Sequence, residues 1–483
     1  MSRYDITIVH LNDIHGRVED GNTNIGFSRL KNFIEDLRSN KNNGRVFLVD
    51  SGDTIHGTTF ANLSKGESMV EVYNHLGFDF VTLGNHDFNY GYKRLKELNL
   101  KKNYSTLVNN LKDLATGEFI GKPYEIVEVE GLKICFFGII TPETYYKTNS
   151  KNIKGVEIED PILATEKMLD EINKKEKNID YKIAITHLGD EISTEEKNRS
   201  SYLAKKFPEI DLILDGHSHA IYEKPEKIEK TSIVQTGCYS NNVGLLQIKI
   251  LEKNIDYRLI PKEEIHENYQ QDMEVENIID EIIDNQRELM NKIIGETSVY
   301  LEGNRDLVRS RETNFTQLVT DSILWKTGAD AVLINGGGIR DSLPPGQITL
   351  GEILRAIPFG NYIITKEVKG SDIKEALENG LKAYPNSLGA MAQIAGMEVI
   401  FNPKEENFKR VKEVKIGSEN LCLNKRYKLA VTDFMSLGGE NYNSLINSKE
   451  VGHYQGIDDI LIEYIEKIGV GDRKEIQPRL IAI

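Results

Sequence analysis

Ile6-Thr7-Ile8-Val9-His10-Leu11-Asn12-Asp13-Ile14-His15-Gly16 is a β-branched, apolar run that stops abruptly at an amide, a carboxylate, an imidazole and a glycine. The run suits a strand buried on both faces, and the glycine lets the backbone turn sharply where the strand ends. Four later runs end the same way. Val46–Val49 leads into Asp50-Ser51-Gly52-Asp53, and Phe80–Leu83 into Gly84-Asn85-His86-Asp87. Ile183–Ile185 leads into Thr186-His187, and Leu212–Leu214 into Asp215-Gly216-His217-Ser218-His219. Helical stretches separate these runs, with further strands at Thr106–Val108 and Ile134–Ile140. Strands alternating with helices imply a sheet covered on both faces, whose sites gather at the carboxyl ends of the strands. Five strand ends carrying Asp, His or Asn are therefore expected to converge.

Beyond Thr231 the rhythm changes. Residues 232–237 and 243–250 read as consecutive antiparallel strands. Between residues 275 and 294 apolar side chains recur at helical spacing, with Gly295 placed to stop the helix, so this stretch reads as a connector. A second block follows. It opens with a helix carrying Phe315, Leu318, Val319 and Ile323 on one face and Thr313 at its start. A strand from Ala331 to Ile334 runs into Asn335-Gly336-Gly337-Gly338, and a helix near Ile373–Leu381 precedes strands near Met397–Phe401 and Tyr427–Val431. The expected domains are residues 1–270, a connecting helix over 271–298, and residues 299–483. The fold class is α/β with α+β character.

The 483 residues suit more than one domain. With 75 acidic against 60 basic side chains the net charge is -15, which excludes a nucleic-acid polymer as partner but not a small phosphorylated ligand held by metal ions. Three widely spaced cysteines, Cys135, Cys238 and Cys422, make neither a disulfide framework nor a metal knuckle. No apolar run is long enough to span a bilayer, so no membrane role is expected. As given, the chain reads as cytoplasmic. A trimmed leader would make it periplasmic or extracellular.

The donor set of carboxylate, imidazole and amide, without thiolate, suits divalent Mn, Zn, Co or Fe. Six or seven such side chains are too many for one tetrahedral ion and fit two ions sharing a carboxylate, for which Asp53 is the choice. Two ions about 3.5–4 Å apart can bridge a hydroxide and clamp phosphoryl oxygens. This ordered set resembles the calcineurin-like metallophosphoesterase superfamily, and Leu11-Asn12-Asp13-Ile14-His15-Gly16 resembles the opening motif of its 5′-nucleotidase branch. The resemblance implies a four-layer αββα sandwich followed by an α/β substrate-binding domain. It implies one metal on Asp13, His15, Asp53 and His219, a second on Asp53, Asn85, His187 and His217, and His86 as the catalytic histidine. One departure stands out: where the branch carries an Asp beside that histidine, this chain has Asn89 in Gly84-Asn85-His86-Asp87-Phe88-Asn89-Tyr90-Gly91. The Asn-Tyr-Gly version is similar to that of 2′,3′-cyclic-nucleotide phosphodiesterases.

Three segments of the second block bear on the substrate. Arg305, Arg309 and Arg311 precede a helix, and Arg340 leaves the glycine-rich turn; planar guanidinium forks suit phosphate. Phe359 and Phe434 each stand on a glycine-containing loop, where two aromatic faces can sandwich a base. By the same resemblance Arg305, Arg309 and Arg340 take the phosphate or ribose end, Asn335, Asn361 and Glu440 hydrogen-bond the nucleoside, and Phe359 and Phe434 stack on the base. Glu440 stands where the family carries Asp. The expected activity is release of phosphate from nucleoside 5′-monophosphates, with nucleotide sugars or diphosphates as further substrates. Two alternatives stay open: a 2′,3′-cyclic-nucleotide phosphodiesterase with 3′-nucleotidase activity, and a nucleotide-binding protein with an inactive metal site.

Overall fold

The computed structural model describes residues 4–21, 24–148, 152–176, 178–191 and 194–483. The chain divides into two compact units, Met1–Gln286 and Arg287–Ile483. In chain order the strands of the first unit are β1 (Ile6–Leu11), β2 (Arg45–Asp50), β3 (Phe80–Val81), β4 (Ser105–Thr106), β5 (Leu111–Asp113), β6 (Tyr124–Val129) and β7 (Leu132–Ile140). They continue as β8 (Val156–Ile158), β9 (Tyr181–His187), β10 (Leu212–Leu214), β11 (Glu226–Ile228), β12 (Thr231–Val234), β13 (Asn242–Lys249) and β14 (Asn254–Pro261).

Two six-stranded mixed sheets result, in the orders β14-β13-β1-β2-β3-β4 and β11-β12-β10-β9-β7-β6. Alternation along each strand sorts the core into layers. Ile6, Ile8, Phe47 and Val49 from one sheet meet Ile134, Phe136, Ile183, Ile185, Leu212 and Leu214 from the other. The intervening residues Val9, Leu11, Val46 and Leu48 face one helical layer with Leu30, Ile34 and Val72. Cys135, Phe137, Ala184 and Ile213 face the other, with Met168, Leu169 and Leu203. Because both faces of both sheets are covered, the strands read as continuous apolar runs. Cys135 is a buried strand thiol whose pKa burial raises to about 12.

Register explains why the strand ends meet. β1 and β2 run parallel with Leu11 opposite Asp50, and β2 and β3 parallel with Asp50 opposite Val81. In the facing sheet β9 and β10 run parallel with Ile185 opposite Leu214. Ser51 Oγ donates to Leu214 O at 2.9 Å, tying the strand ends of the two sheets together.

Two expectations are corrected. Residues 232–237 and 243–250 are not neighbouring antiparallel strands: β12 lies parallel to β10 in one sheet, while β13 lies antiparallel to β1 in the other. The chain crosses between sheets there, since each strand completes a different layer. The connector helix spans Met273–Met290, and Ile293–Thr297 forms a strand paired with Gly346–Thr349. Gly295 therefore does not stop the helix. A Cβ there would lie 2.4 Å from Ile465, so the glycine serves close packing of strand on helix.

The second unit is built on a five-stranded sheet in the spatial order Ala392–Ala395, Ala331–Asn335, Arg426–Thr432, Tyr362–Lys369 and Lys449–Gly456. The helix Asn314–Thr327 starts at Thr313, whose hydroxyl accepts from Thr316 N while Thr316 Oγ1 accepts from Thr313 N. A four-stranded sheet containing Val411–Ile416 and Met397–Phe401 completes the unit. Among the described residues no helix is long and apolar enough to cross a membrane.

Candidate functional site

Asp13, His15, Asp53, His217 and His219 all have positive φ, between 49° and 82°. Side-chain-bearing residues rarely adopt that region, at a cost of about 1–3 kcal/mol each, and such strain clusters at functional sites. Here it has a clear consequence. β10 ends at Leu214, and beyond it the bends at His217 and His219 bring the His219 ring to Asp13, the His217 backbone N–H to the same carboxylate, and the His217 ring to Glu143. Gly84 makes room beside them, since a Cβ there would lie 2.1 Å from Asp53 Oδ1.

Four side chains form two overlapping clusters with a fifth: Asp13, His15 and His219, and Asp13, Asp53 and His187. His219 Nε2 lies 3.4 Å from Asp13 Oδ1 and 3.3 Å from His15 Nε2. His187 Nε2 lies 3.2 Å from Asp53 Oδ2 and 3.9 Å from Asp13 Oδ1. Asp53 Oδ2 is also 3.8 Å from His15 Nε2, so both carboxylates face rings of both expected metal sets. His187 Nδ1 donates to Ser51 O at 2.7 Å, which turns the Nε2 lone pair toward the carboxylates. Asp13 Oδ1, Asn85 Oδ1 and His187 Nε2 are buried and make no hydrogen bond. Buried polar atoms left without partners are costly, and these three are the donor atoms a cation requires. The residues therefore fit divalent ions.

The electrostatics agree. Burial works hardest to depress the His187 pKa, yet the Asp53 and Asp13 carboxylates lift it to about 10. Against partial burial, Asp13 raises His219 well above the usual imidazole range. Protons are thus drawn to the positions where cations would sit. His15, with burial dominant, falls to about 4.

His86 sits beside this cluster. Its N–H donates to Asp53 Oδ1 at 2.8 Å, and its ring lies 5.3 Å from that of His15. Asn89 Nδ2 meets His86 Nδ1 at 3.0 Å, and Thr148 Oγ1 donates to Asn89 Oδ1 at 2.9 Å. His217 points one nitrogen elsewhere, with Nε2 3.0 Å from Glu143 Oε2.

In the second unit Arg309 feels both Arg305 and Arg340. Burial first, and then those two cations, hold its pKa down, while Glu440 opposes them. Arg309 Nε is buried without a hydrogen-bond partner. Arg340 lies over the Phe359 ring at 5.2 Å. Phe359 and Phe434 are 45% and 44% exposed. Asn361 Nδ2 donates to Asp433 Oδ1 at 2.9 Å, and Asn335 Nδ2 to Gly389 O at 3.4 Å. Glu440 has φ 54° and packs against Gly389, where a Cβ would lie 2.2 Å from Oε1. A separate cavity of about 290 Å³ near Arg473 and Arg479 offers less, because both guanidiniums are already paired with Asp321.

The family model for calcineurin-like phosphoesterases matches residues 6–220, and that for the 5′-nucleotidase C-terminal domain matches residues 293–446. The chain belongs to the 5′-nucleotidase family. A 5′-nucleotidase of Vibrio cholerae is 28% identical over 506 residues, which cover 96% of this chain and 90% of that protein. The trifunctional nucleotide phosphoesterase protein YfkN of Bacillus subtilis is 29% identical over 99% of this chain, which spans 35% of that protein's length. The structure of NAD nucleotidase from Haemophilus influenzae shares the fold, with a TM-score of 0.75 at 20% identity over 99% of both chains.

As a 5′-nucleotidase-family phosphoesterase, this enzyme is a metal-dependent hydrolase with buried Asp and His clusters for the metal. Several residues that hold those clusters drew no role from sequence. The Asp87 carboxylate accepts from the N–H groups of Asp53, Thr54, Ile55 and Gly84 at 2.8–3.1 Å, clamping two strand ends together. Asp215 accepts from Thr186 and Ser200 hydroxyls, each at 2.7 Å. Asn12 donates to Asp13 Oδ2 at 2.7 Å. All three stand in the strand-end strings, but a polar side chain there signals a turn or a ligand as readily as a brace. Glu143 carried no signal at all.

Proposed function

We propose that this enzyme hydrolyses nucleoside 5′-monophosphates to nucleoside and phosphate, with nucleotide sugars and diphosphates as further substrates. The observation that carries this reading is the grouping of Arg305, Arg309 and Arg340 around an unpartnered buried Nε, with Arg340 over the half-exposed ring of Phe359. That combination suits an anion joined to an aromatic base. The 5′-nucleotidase character of the second unit supports the same substrate class.

Asp13, His15, Asp53, Asn85, His187, His217 and His219 would hold two divalent ions, which supply Lewis acidity to the phosphoryl oxygens and to the attacking water. His86 acts beside them. An amide N–H from Asn89 into Nδ1 fixes the ring's proton on Nε2, and that N–H stabilises the phosphoryl group or passes its proton to the leaving oxygen. Asn89 gives the second reading its support: an amide orients the imidazole but adds no negative charge, as in 2′,3′-cyclic-nucleotide phosphodiesterases.

The test is turnover of AMP, 3′-AMP, 2′,3′-cyclic AMP and UDP-glucose with added Mn²⁺, with and without chelator. Phosphate is measured for the monoesters, and products are resolved for the cyclic ester and the nucleotide sugar. Chelator-sensitive preference for AMP is the expected result. Preference for the cyclic or 3′ ester would move the enzyme to the second reading.

A further inference from the structure

We infer that Glu143 is a positioning residue for the second metal subset, acting through His217. The inference rests on His217 being a metal ligand. Glu143 is 2% exposed, and its Oε2 lies 3.0 Å from His217 Nε2 across 74 residues of sequence. A buried carboxylate at that distance takes the imidazole proton onto Nε2, which leaves Nδ1 as the nitrogen with a lone pair. His187 is anchored the opposite way, with Nδ1 spent on the Ser51 carbonyl and Nε2 left over. The two rings lie 5.0 Å apart, so neighbouring histidines offer different nitrogens because different acceptors hold them. A carboxylate anchor also makes its imidazole a stronger donor than a carbonyl anchor does.

The segment around Glu143 is built to hold that position. Its N–H donates to Thr141 Oγ1 at 3.2 Å, and Lys147 Nζ lies 3.5 Å from its carboxylate one helical turn on. Oε2 is thus shared between the His217 imidazole at 3.0 Å and the Lys147 ammonium at 3.5 Å, which helps hold the buried carboxylate ionised. The same short segment reaches two other members of the site. Thr148 Oγ1 bonds Asn89, the partner of His86, and the Lys147 carbonyl lies 3.5 Å from Asn85 Nδ2. Residues 143–148 thus back His217, Asn85 and the His86–Asn89 pair together, from the end of β7.

The test uses Glu143→Ala, Glu143→Gln and, as the reference for ligand loss, His217→Ala. Each protein is stripped of metal and titrated with Co²⁺, following visible absorption, and bound metal is counted by elemental analysis. Wild type is expected to take up two ions. Glu143→Ala is expected to bind one ion as wild type does and the other about 10–100-fold more weakly, with an altered absorption band. Glu143→Gln keeps an acceptor without the charge and is expected near the lower end of that range. Wild-type affinity at both sites in either folded variant overturns the inference, as does an equal loss at both sites, which is what general loosening of the fold would give. If Glu143→Ala does not fold, Glu143→Gln decides alone. If His217→Ala itself binds two ions with wild-type affinity, the ligand assignment fails and the inference falls with it. If His217→Ala loses one ion while both Glu143 variants keep two, only the inference fails.

Discussion

The strand ends of the first unit and the loops of the second treat their functional side chains in opposite ways. At the strand ends Asp13, His15, Asp53, Asn85 and His187 are buried, His219 is partly exposed, and five of the candidate ligands are bent into positive φ. Their backbone and side chains are tied by Asp87, Asn12, Ser51 and Asp215. In the second unit Phe359 stands 45% exposed on a turn, and Phe434, expected on a loop, stands 44% exposed in the short helix Asp433–Ser436. On the proposed function, the difference follows from what each region would bind. A cation needs donors already stripped of water and aimed at one point, so the fold bears the strain in advance. A base needs apolar faces that remain open until it arrives.

The comparison can be broken most sharply at His86. If the strand ends are rigid independently of it, His86→Ala should lower turnover by about 10²–10⁴-fold while elemental analysis still finds both metals. Loss of metal together with activity would show that His86 belongs to the ligand scaffold instead. The second unit gives a smaller and different signature. Phe434→Ala and Phe359→Ala should each weaken nucleotide affinity by about 1–3 kcal/mol, seen as a raised KM with kcat largely kept. A kcat effect without a KM effect would mean that the rings do not receive the base.

The smallest effect probes a buried carboxyl of the second unit, away from its exposed rings. Asp458 is buried at the start of the helix Ile457–Lys467 with Oδ1 unpartnered. Burial, then Asp459, raises its pKa to about 7. A carboxyl raised in the folded state contributes stability that is complete below its unfolded pKa and lost as pH rises through about 7. Asp458→Asn should therefore raise the melting temperature at pH 8 by about 2–4 °C per kcal/mol regained, with a distinctly smaller gain at pH 5. An equal gain at both pH values would assign the effect to something other than titration.

Much of the molecule was legible along the chain. The five strand ends could be read because ligand residues next to glycines follow immediately on apolar runs. The capped helix after Thr313 could be read because a capping pair is only three residues long. The helix Met273–Met290 was legible in its body but not at its end, since Ile293 and Ile294 fit a helical period although they lie in a strand. A two-residue apolar pair does not distinguish the two. In the second unit the arginine and phenylalanine loops were recognised by resemblance, and nothing local announced that Arg305 and Arg340 would both bear on Arg309.

By itself the sequence determined which Asp, His and Asn residues stand at the strand ends, the order in which strands deliver them and the family to which the chain belongs. These depend on runs and motifs of fewer than about a dozen residues. Only the tertiary structure decided that β12 and β13 join different sheets, that Asp87 clamps two strand ends, and that Glu143 meets His217. Each of those contacts depends on where the chain returns after tens of residues, and on backbone bends that side-chain-bearing residues accept only when the surrounding fold enforces them.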